Sequence, residues 1–191
     1  MTTIPQHRIQ FKKPDLESLC NDFTVVDMHF HTQNSDGHNS VAEIYEYVRR
    51  LGIGIAITDH NAIGGAVELA GHDDLLCIPG IEVTSAEGSH VLVYFYASGD
   101  LERFYSHTIL PAMGPEIMSS TSLEMEAIIE AARRFATVVV FPHPYSAAYS
   151  GIHNSYFSET RLLALYDMVD GIEVINAENM NKWNLQSTVL G

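Results

Sequence analysis

The sequence predicts an α/β protein whose strands run parallel and are joined by helical crossovers. Three observations carry this reading. Short apolar runs alternate along the chain with segments of helical periodicity. The runs are apolar on both faces, as strands covered by helices must be. Polar residues recur at the ends of these runs, the edge on which α/β folds build their sites. At 191 residues the chain has single-domain length and enough material for a buried core.

Residues 1–23 are polar, carry Pro5 and Pro14, and read as an N-terminal arm. Thr24 to His31 is the first strand. Ser40 and Glu43 then stand in capping-box spacing ahead of a helix over 40–51, with Ile44, Tyr47, Val48 and Leu51 at apolar positions and Gly52 and Gly54 ending it. Ile55–Thr58 is the second strand, Ala62–Ala70 a weak helix, Leu75–Val83 the third strand and Val91–Tyr96 the fourth. The stretch 98–120 is irregular, with Pro111 and Pro115 limiting any helix. Thr121 with Glu124 repeats the capping-box pattern before a helix to about Phe135. Thr137–Pro142 is a β-branched fifth strand, Leu162–Val169 a short helix and Gly171–Ile175 a sixth strand. There is no internal repeat and no low-complexity tract.

Composition narrows the function. Apolar residues make up 46% and charged residues 18%, a globular balance that excludes a disordered chain. Ten Lys and Arg against 24 Asp and Glu leave a net charge of −14. Such a chain is a poor candidate for an extended nucleic-acid groove or a polybasic membrane contact. If it handles phosphate, the positive charge must come from bound metal. Cys20 and Cys77 lie far apart and form no CxxC pair, so they read as small buried hydrophobes in a reducing compartment. The leading TTIPQHRIQFKKP has no apolar signal-peptide core, and nowhere do 18 apolar residues run together. A cytoplasmic protein is expected.

Ten histidines, as many as all Lys and Arg combined, point toward metal or acid–base chemistry. His29 and His31, two apart at the end of a strand, share a face. Asp27 lies on that face and is expected to orient one imidazole. Asp36 sits in Ser35-Asp36-Gly37, which is also an ordinary turn sequence. Thr58-Asp59-His60-Asn61 ends the second strand; a polar loop with a helix cap is the plainer account. Glu82 follows an apolar run, where a carboxylate is costly unless paired or bound to metal. His90 opens the fourth strand, His143 ends the fifth in Phe141-Pro142-His143-Pro144, and Glu173 lies in the sixth. Each has a structural explanation by itself. Together they occupy the one rim where convergence is expected. His7, His38, His72 and His107 read as surface or loop residues. His153 shares a loop with Tyr145 and Tyr149 beside His143 and is a candidate substrate contact.

In their order along the chain, DMHFHTQNSDG (27–37), ITDHN (57–61), PGIEVT (79–84), His90 and FPHP (141–144) resemble the PHP domain, the polymerase-and-histidinol-phosphatase family, over roughly residues 24–176. The resemblance implies a distorted (β/α)7-type barrel, up to three divalent metal ions at its C-terminal rim, and hydrolysis of phosphate esters. It implies that His29 and His31 hold one metal and share Glu82 with a second, which is held also by His90 and His143. Asp36 and His60 hold the third. Imidazole mixed with carboxylate suits Zn, Mn or Fe. Asp27, Asp59, Asn61, Glu173 and His153 are candidates for orienting ligands or touching substrate.

The chain also departs from the family pattern. About six strands are counted where the barrel has seven, and the family's closing Asp-x-His motif is not found after Asn176. The reading is therefore a PHP domain over 24–191 without its final strand, in which only the Glu82, His90 and His143 set keeps all its protein ligands. Unpaired strand edges would then favour oligomers. The expected substrate is a small phosphorylated molecule, a nucleotide for preference, with the long connections 98–120 and 145–157 shaping specificity. No Gly-rich phosphate loop or GxSxG is present, so no side-chain nucleophile is assigned. The alternatives are an amidohydrolase acting on C–N bonds, which shares the first HxH, and a metal-poor PHP module with a structural or regulatory role.

Overall fold

The computed structural model describes residues 15–146, 150–153, 156–177 and 181–190. His7 and Tyr149 lie outside the described residues. A helix, α1 (Leu16–Asp22), stands in the stretch expected to be an arm; Asp15 caps it by accepting from the Ser18 N–H. The strand β1 (Val26–Phe30) leads to α2 (Val41–Leu51), where the capping box of Ser40 and Glu43 forms as expected and Gly52 closes the helix at φ 68°. Buried Val41, Ile44 and Val48 form its inward stripe. Then come β2 (Gly54–Ile57), α3 (Gly64–Leu69), β3 (Cys77–Thr84) and β4 (His90–Phe95).

The region 98–120 is more ordered than its prolines suggest. α4 (Ser98–Phe104) runs on through a π-helical turn over 105–109 and a 3-10 turn over 110–112. Pro111 sits in the first positions of that last turn, where its missing N–H costs nothing. The second expected capping box does not form. Thr121 Oγ1 donates instead to the Thr84 carbonyl, and Glu124 takes the cap position of α5 (Met125–Ala132) without a side-chain bond. A buried hydroxyl with a strand carbonyl in reach has a better partner there than a helix end. After β5 (Thr137–Phe141) come α6 (Glu159–Tyr166), capped by Ser158, and β6, which is only Gly171–Ile172. α7 (Asn181–Leu190) follows; its polar sequence hid it from a reading based on apolar periodicity.

The six strands form one sheet in the order β1-β2-β3-β4-β5-β6. The expectation of parallel strands throughout is corrected. β1, β2 and β3 are parallel and β5 pairs β6 in parallel, but β4 runs antiparallel to both β3 and β5. The reason is local. Only residues 85–89 separate β3 from β4, too few for a crossover, and Gly88 at φ 80° closes them into a hairpin. The inversion pairs Thr84 with His90, so the start of β4 shares a rim with the end of β3.

Laid flat, six strands would hold β1 and β6 roughly 24 Å apart. Here His29 Nδ1 lies 3.1 Å from Oε1 of Glu173, just past β6, so the sheet is curled into an open barrel. On the convex face Ile55, Ile57, Ile81, Val83, Val91, Val93, Val139 and Phe141 pack with residues of the helices into the main core. The concave face carries a smaller cluster of Ala56, Leu92 and Tyr94, flanked by Ile78, Val138 and Val140. The Tyr94 hydroxyl crosses this interior to donate to the Met28 carbonyl at 2.7 Å.

Candidate metal centre

Glu82 is the hub of the rim. It is fully buried, and its two oxygens divide five imidazoles between them. Oε2 lies 3.3 Å from His29 Nε2, 3.0 Å from His31 Nε2 and 3.2 Å from His60 Nδ1. Oε1 lies 3.1 Å from His90 Nδ1 and 3.1 Å from His143 Nε2. Asp36 stands at the outer edge, with Oδ1 2.6 Å from His31 Nδ1 and Oδ2 3.6 Å from His60 Nε2. All seven candidate ligands thus meet in one cluster. Three groups of converging donor atoms fall within it: His29, Glu82 and His143; His31, Asp36 and His60; and His60, Glu82 and His90. These groups pair the histidines differently from the sets the resemblance implies, although the two sides of Glu82 divide them much as a bridging carboxylate would.

The backbone explains the convergence. The β1–β2 register shifts between Asp27 and Phe30, at the strand end that carries His29 and His31. His60 forms a bridge to Glu82, which places the end of β2 against β3. His143 is held at φ 40°, a left-handed conformation uncommon for a residue with a side chain and a mark of local constraint.

The electrostatics follow from burial set against contact. Burial alone would raise the Glu82 pKa, but hydrogen bonds from His143, His29, His31 and His90 hold it well below the usual carboxylate range. Burial works against a charged His29, yet the bonds to Glu173 and Glu82 prevail and push its pKa up to about 10. His31 is raised too, against burial, by Glu82 and Asp36. His60 goes the other way. Burial, with His90 and His31 nearby, outweighs the attraction of Glu82 and brings it down to about 4.

The donor set fits a divalent metal. Two buried imidazole nitrogens, His60 Nδ1 and His143 Nδ1, have no hydrogen-bond partner among the described residues. His60 Nδ1 is close enough to Glu82 to make an ion pair but is not aligned to donate to it. His29 Nε2 and His31 Nε2 lie only 3.1 Å apart. Imidazole nitrogens packed against one another and around one carboxylate are poorly explained by protons alone and well explained as ligands of shared cations.

The remaining candidates separate into supports and bystanders. Asp27 does not orient an imidazole; its Oδ1 accepts from the His29 backbone N–H at 3.2 Å. Glu173 does that work from the far edge. Its Oε1 holds His29 Nδ1, while Oε2 accepts from the His143 N–H at 3.0 Å and from Asn176 at 3.1 Å. Asp59 is fully buried and faces the loop that follows β1, accepting from the Thr32 N–H, the Thr32 hydroxyl and the Ser35 hydroxyl at 2.6, 2.7 and 2.8 Å. Gly65 leaves it room, since a Cβ there would stand 2.7 Å from Asp59 Oδ2. The Asn61 side chain, on a backbone at φ 47°, donates to the Ile117 and Ser119 carbonyls and accepts from the Thr84 N–H. Both residues shape loops. His153 stacks flat on Tyr145 at 4.2 Å, with its Nε2 2.6 Å from the Tyr166 hydroxyl.

Sequence reasoning missed Asn184. It accepts from the Asn176 N–H and donates to the Asn176 carbonyl, tying α7 to the segment that carries Glu173. No spacing announces such a residue.

No family model matches the chain, and no curated protein does. Solved structures do. One from Bifidobacterium adolescentis, described as a metal-dependent phosphoesterase, shares 19% identity at a TM-score of 0.64, covering 87% of this chain and 82% of that one. A two-domain protein from Bacteroides vulgatus, described as containing a PHP-like metal-dependent phosphoesterase, shares 17% at 0.54 over 86% of this chain and 49% of its own. A lesion-specific endonuclease from Pyrococcus furiosus shares 18% at 0.64 over 83% of this chain and 43% of its own. The chain therefore spans less than half the length of the last two. At such identities the likeness is one of fold. With its six-stranded open barrel and the histidine-rich rim around Glu82, the chain has the PHP-type fold.

Proposed function

We propose that this protein is a metal-dependent phosphoesterase acting on small phosphorylated substrates, with nucleotides the preferred class. One observation carries the reading: a fully buried carboxylate, Glu82, with five imidazoles within 3.3 Å of its two oxygens at the rim of a PHP-type fold. In this reading His29 and His31 would hold one ion and share Glu82 with a second, which His90 and His143 would also hold, and Asp36 with His60 would hold a third. Imidazole with carboxylate favours Zn, Mn or Fe. Held by these residues, divalent cations would supply positive charge for phosphate oxygens and a lowered pKa for water.

The chain's own residues do the rest. Glu82 stays ionised, so it can be shared between two positive centres. Glu173 fixes the His29 ring through Nδ1, leaving Nε2 turned toward Glu82. Asp36 does the same for His31. Asp59 rigidifies the loop between them. No serine or cysteine nucleophile is required.

A small substrate is favoured over a long nucleic acid because the chain carries −14 and four of its arginines are engaged in ion pairs: Arg49 with Asp74, Arg103 with Asp100, Arg133 with Asp170 and Arg161 with Glu87 and Glu126. One structural neighbour, Endonuclease Q, is described in complex with a 27-mer duplex bearing an abasic lesion, so that duplex belongs in the assay. The working compartment proposed is the cytoplasm, consistent with two free cysteines.

The test is phosphate release from mononucleotides and simple monoesters, with and without chelator, alongside the abasic duplex and a panel of C–N substrates. Chelator-sensitive release from monoesters is expected. Turnover of C–N substrates alone would move the protein to the amidohydrolase reading. Absence of both bound metal and hydrolysis would leave a structural module.

A further inference from the structure

Segment 150–153 carries none of the seven candidate ligands, yet it grips the backbone of two of them. The ladder between β4 and β5 begins at Leu92 with Val140, so the N–H of His90 lies beyond it; that N–H donates to the Ser150 carbonyl at 2.8 Å. One residue on, the Gly151 carbonyl accepts from the buried Ser89 hydroxyl at 3.0 Å. The His153 N–H donates to the Pro144 carbonyl, also at 3.0 Å. Ile152, 1% exposed, anchors the segment in the main core. Gly151 itself is pressed against the turn that follows β5: a Cβ there would stand 2.6 Å from the Pro144 oxygen and 2.9 Å from the His143 oxygen. Both are backbone atoms, which have no rotamer through which to yield.

Four consecutive residues thus fasten the start of β4 to the end of β5. His90 and His143 are the two imidazoles on Glu82 Oε1, and His143 sits at φ 40°, a conformation that persists only where its surroundings impose it. The rings on Oε2 are oriented from other parts of the fold, His29 by Glu173 and His31 by Asp36.

We propose that segment 150–153 is a strap that sets the spacing of His90 and His143 across Glu82 Oε1, with Gly151 as its positioning residue. A larger residue at 151 drives the strap off the His143 and Pro144 carbonyls and releases the His90 N–H, so the two rings no longer meet at one oxygen. The strap acts through the backbone alone. This deepens the metal-dependent reading and rests on it for the word ligand, but the grip on His90 needs no metal.

The experiment reads both. In chelator-treated protein, amide hydrogen exchange is followed by NMR. Gly151→Ala should speed His90 exchange at least about tenfold and leave the Asn61 N–H, which donates to the Glu82 carbonyl, unchanged. Zn²⁺ affinity, from competition with a chromogenic chelator, should fall about 10- to 100-fold. Ser89→Ala, which keeps the glycine and removes the hydroxyl that holds it, should give the same pattern with an affinity loss of about threefold. Gly99→Ala, where a Cβ meets nothing within 4 Å, should change neither. Unchanged His90 exchange or undiminished Zn²⁺ affinity in Gly151→Ala overturns the strap. Equal acceleration of His90 and Asn61 does so too, since a general loosening of the fold is then the whole effect. If Gly151→Ala fails to fold by circular dichroism, Ser89→Ala decides on the same readings. Should the wild type bind no Zn²⁺, the metal-dependent reading fails, and His90 exchange alone decides the strap.

Discussion

Glu173 joins the two ends of the sheet: its Oε1 sits 3.1 Å from Nδ1 of His29, the residue that β1 delivers to the rim. A side chain that follows the last strand thereby sets the ring orientation of a residue 144 positions earlier. Replacing it tests both the fold and the site. Glu173→Gln should weaken metal binding by about 10- to 100-fold, measured by competition with a chromogenic chelator. Asp27→Asn, at a carboxylate that accepts from the His29 backbone rather than its ring, should change it far less. Equal losses in the two variants would contradict the assignment.

Glu82→Gln removes the one charge that all five imidazoles face. Metal content by mass spectrometry should drop by at least one ion per chain, with hydrolysis falling by at least about 100-fold. The metal-free protein should also lose about 3 kcal/mol of stability, because the buried carboxylate that His29, His31, His90 and His143 all face is gone.

Acidity should reshape the stability of the chelator-treated protein in two directions. His29 has its pKa raised to about 10 in the fold, so its contribution is complete below about 6.5 and disappears as pH climbs through 10. His60 is depressed to about 4, so its contribution is complete above about 6.5 and disappears as pH falls through 4. Glu82 reinforces the acid side, its contribution being lost below the ordinary carboxylate range. Melting temperature without metal should therefore peak near pH 6.5. A flat profile between pH 5 and 9 would refute the coupling. Saturating metal should flatten the alkaline limb, since cations and protons compete for the same nitrogens.

Gly65→Ala should destabilise the protein by about 1–3 kcal/mol, since its Cβ would press on Asp59 and Thr32 in a fully buried clamp. Chemical denaturation measures this directly. A neutral result would mean the clamp relaxes at little cost.

Arg161 bridges α6 to Glu126 on α5 and to Glu87 in the β3–β4 hairpin. Arg161→Met should cost about 1–3 kcal/mol by leaving Glu87, a mostly buried carboxylate, unpaired. Metal content should not change, which separates this surface clamp from the site.

Most of the candidate ligands were legible because they stand at an end of an apolar run, where a polar side chain calls for an explanation; Asp36, in a turn, was legible only through the motif that contains it. The capping box at Ser40 was legible because both of its bonds are local. Strand direction was less so. Nothing in the apolar pattern of Val91–Tyr96 distinguishes a parallel strand from an antiparallel one; the short SAEGS connection does, and it outweighs the general rhythm. The supports of the site were illegible for a different reason. Asp59 and Asn61 stand in a polar run that draws attention, but their partners are 23 to 58 positions away, and Asn184 lies on a helix without an apolar stripe, so no local signal gives their roles.

The inverted β4 has a consequence for how such a chain can change. Alternate residues of a strand face opposite sides, so sliding β4 by a single position would turn His90 outward among the aliphatic side chains under the helices and offer Val91 to the rim in its place. The hairpin at 85–89 is in effect the ruler for that ligand, and its length is a poor place for insertions. The stretch between α4 and α5, which carries none of the ligands, can lengthen or shorten with far less damage.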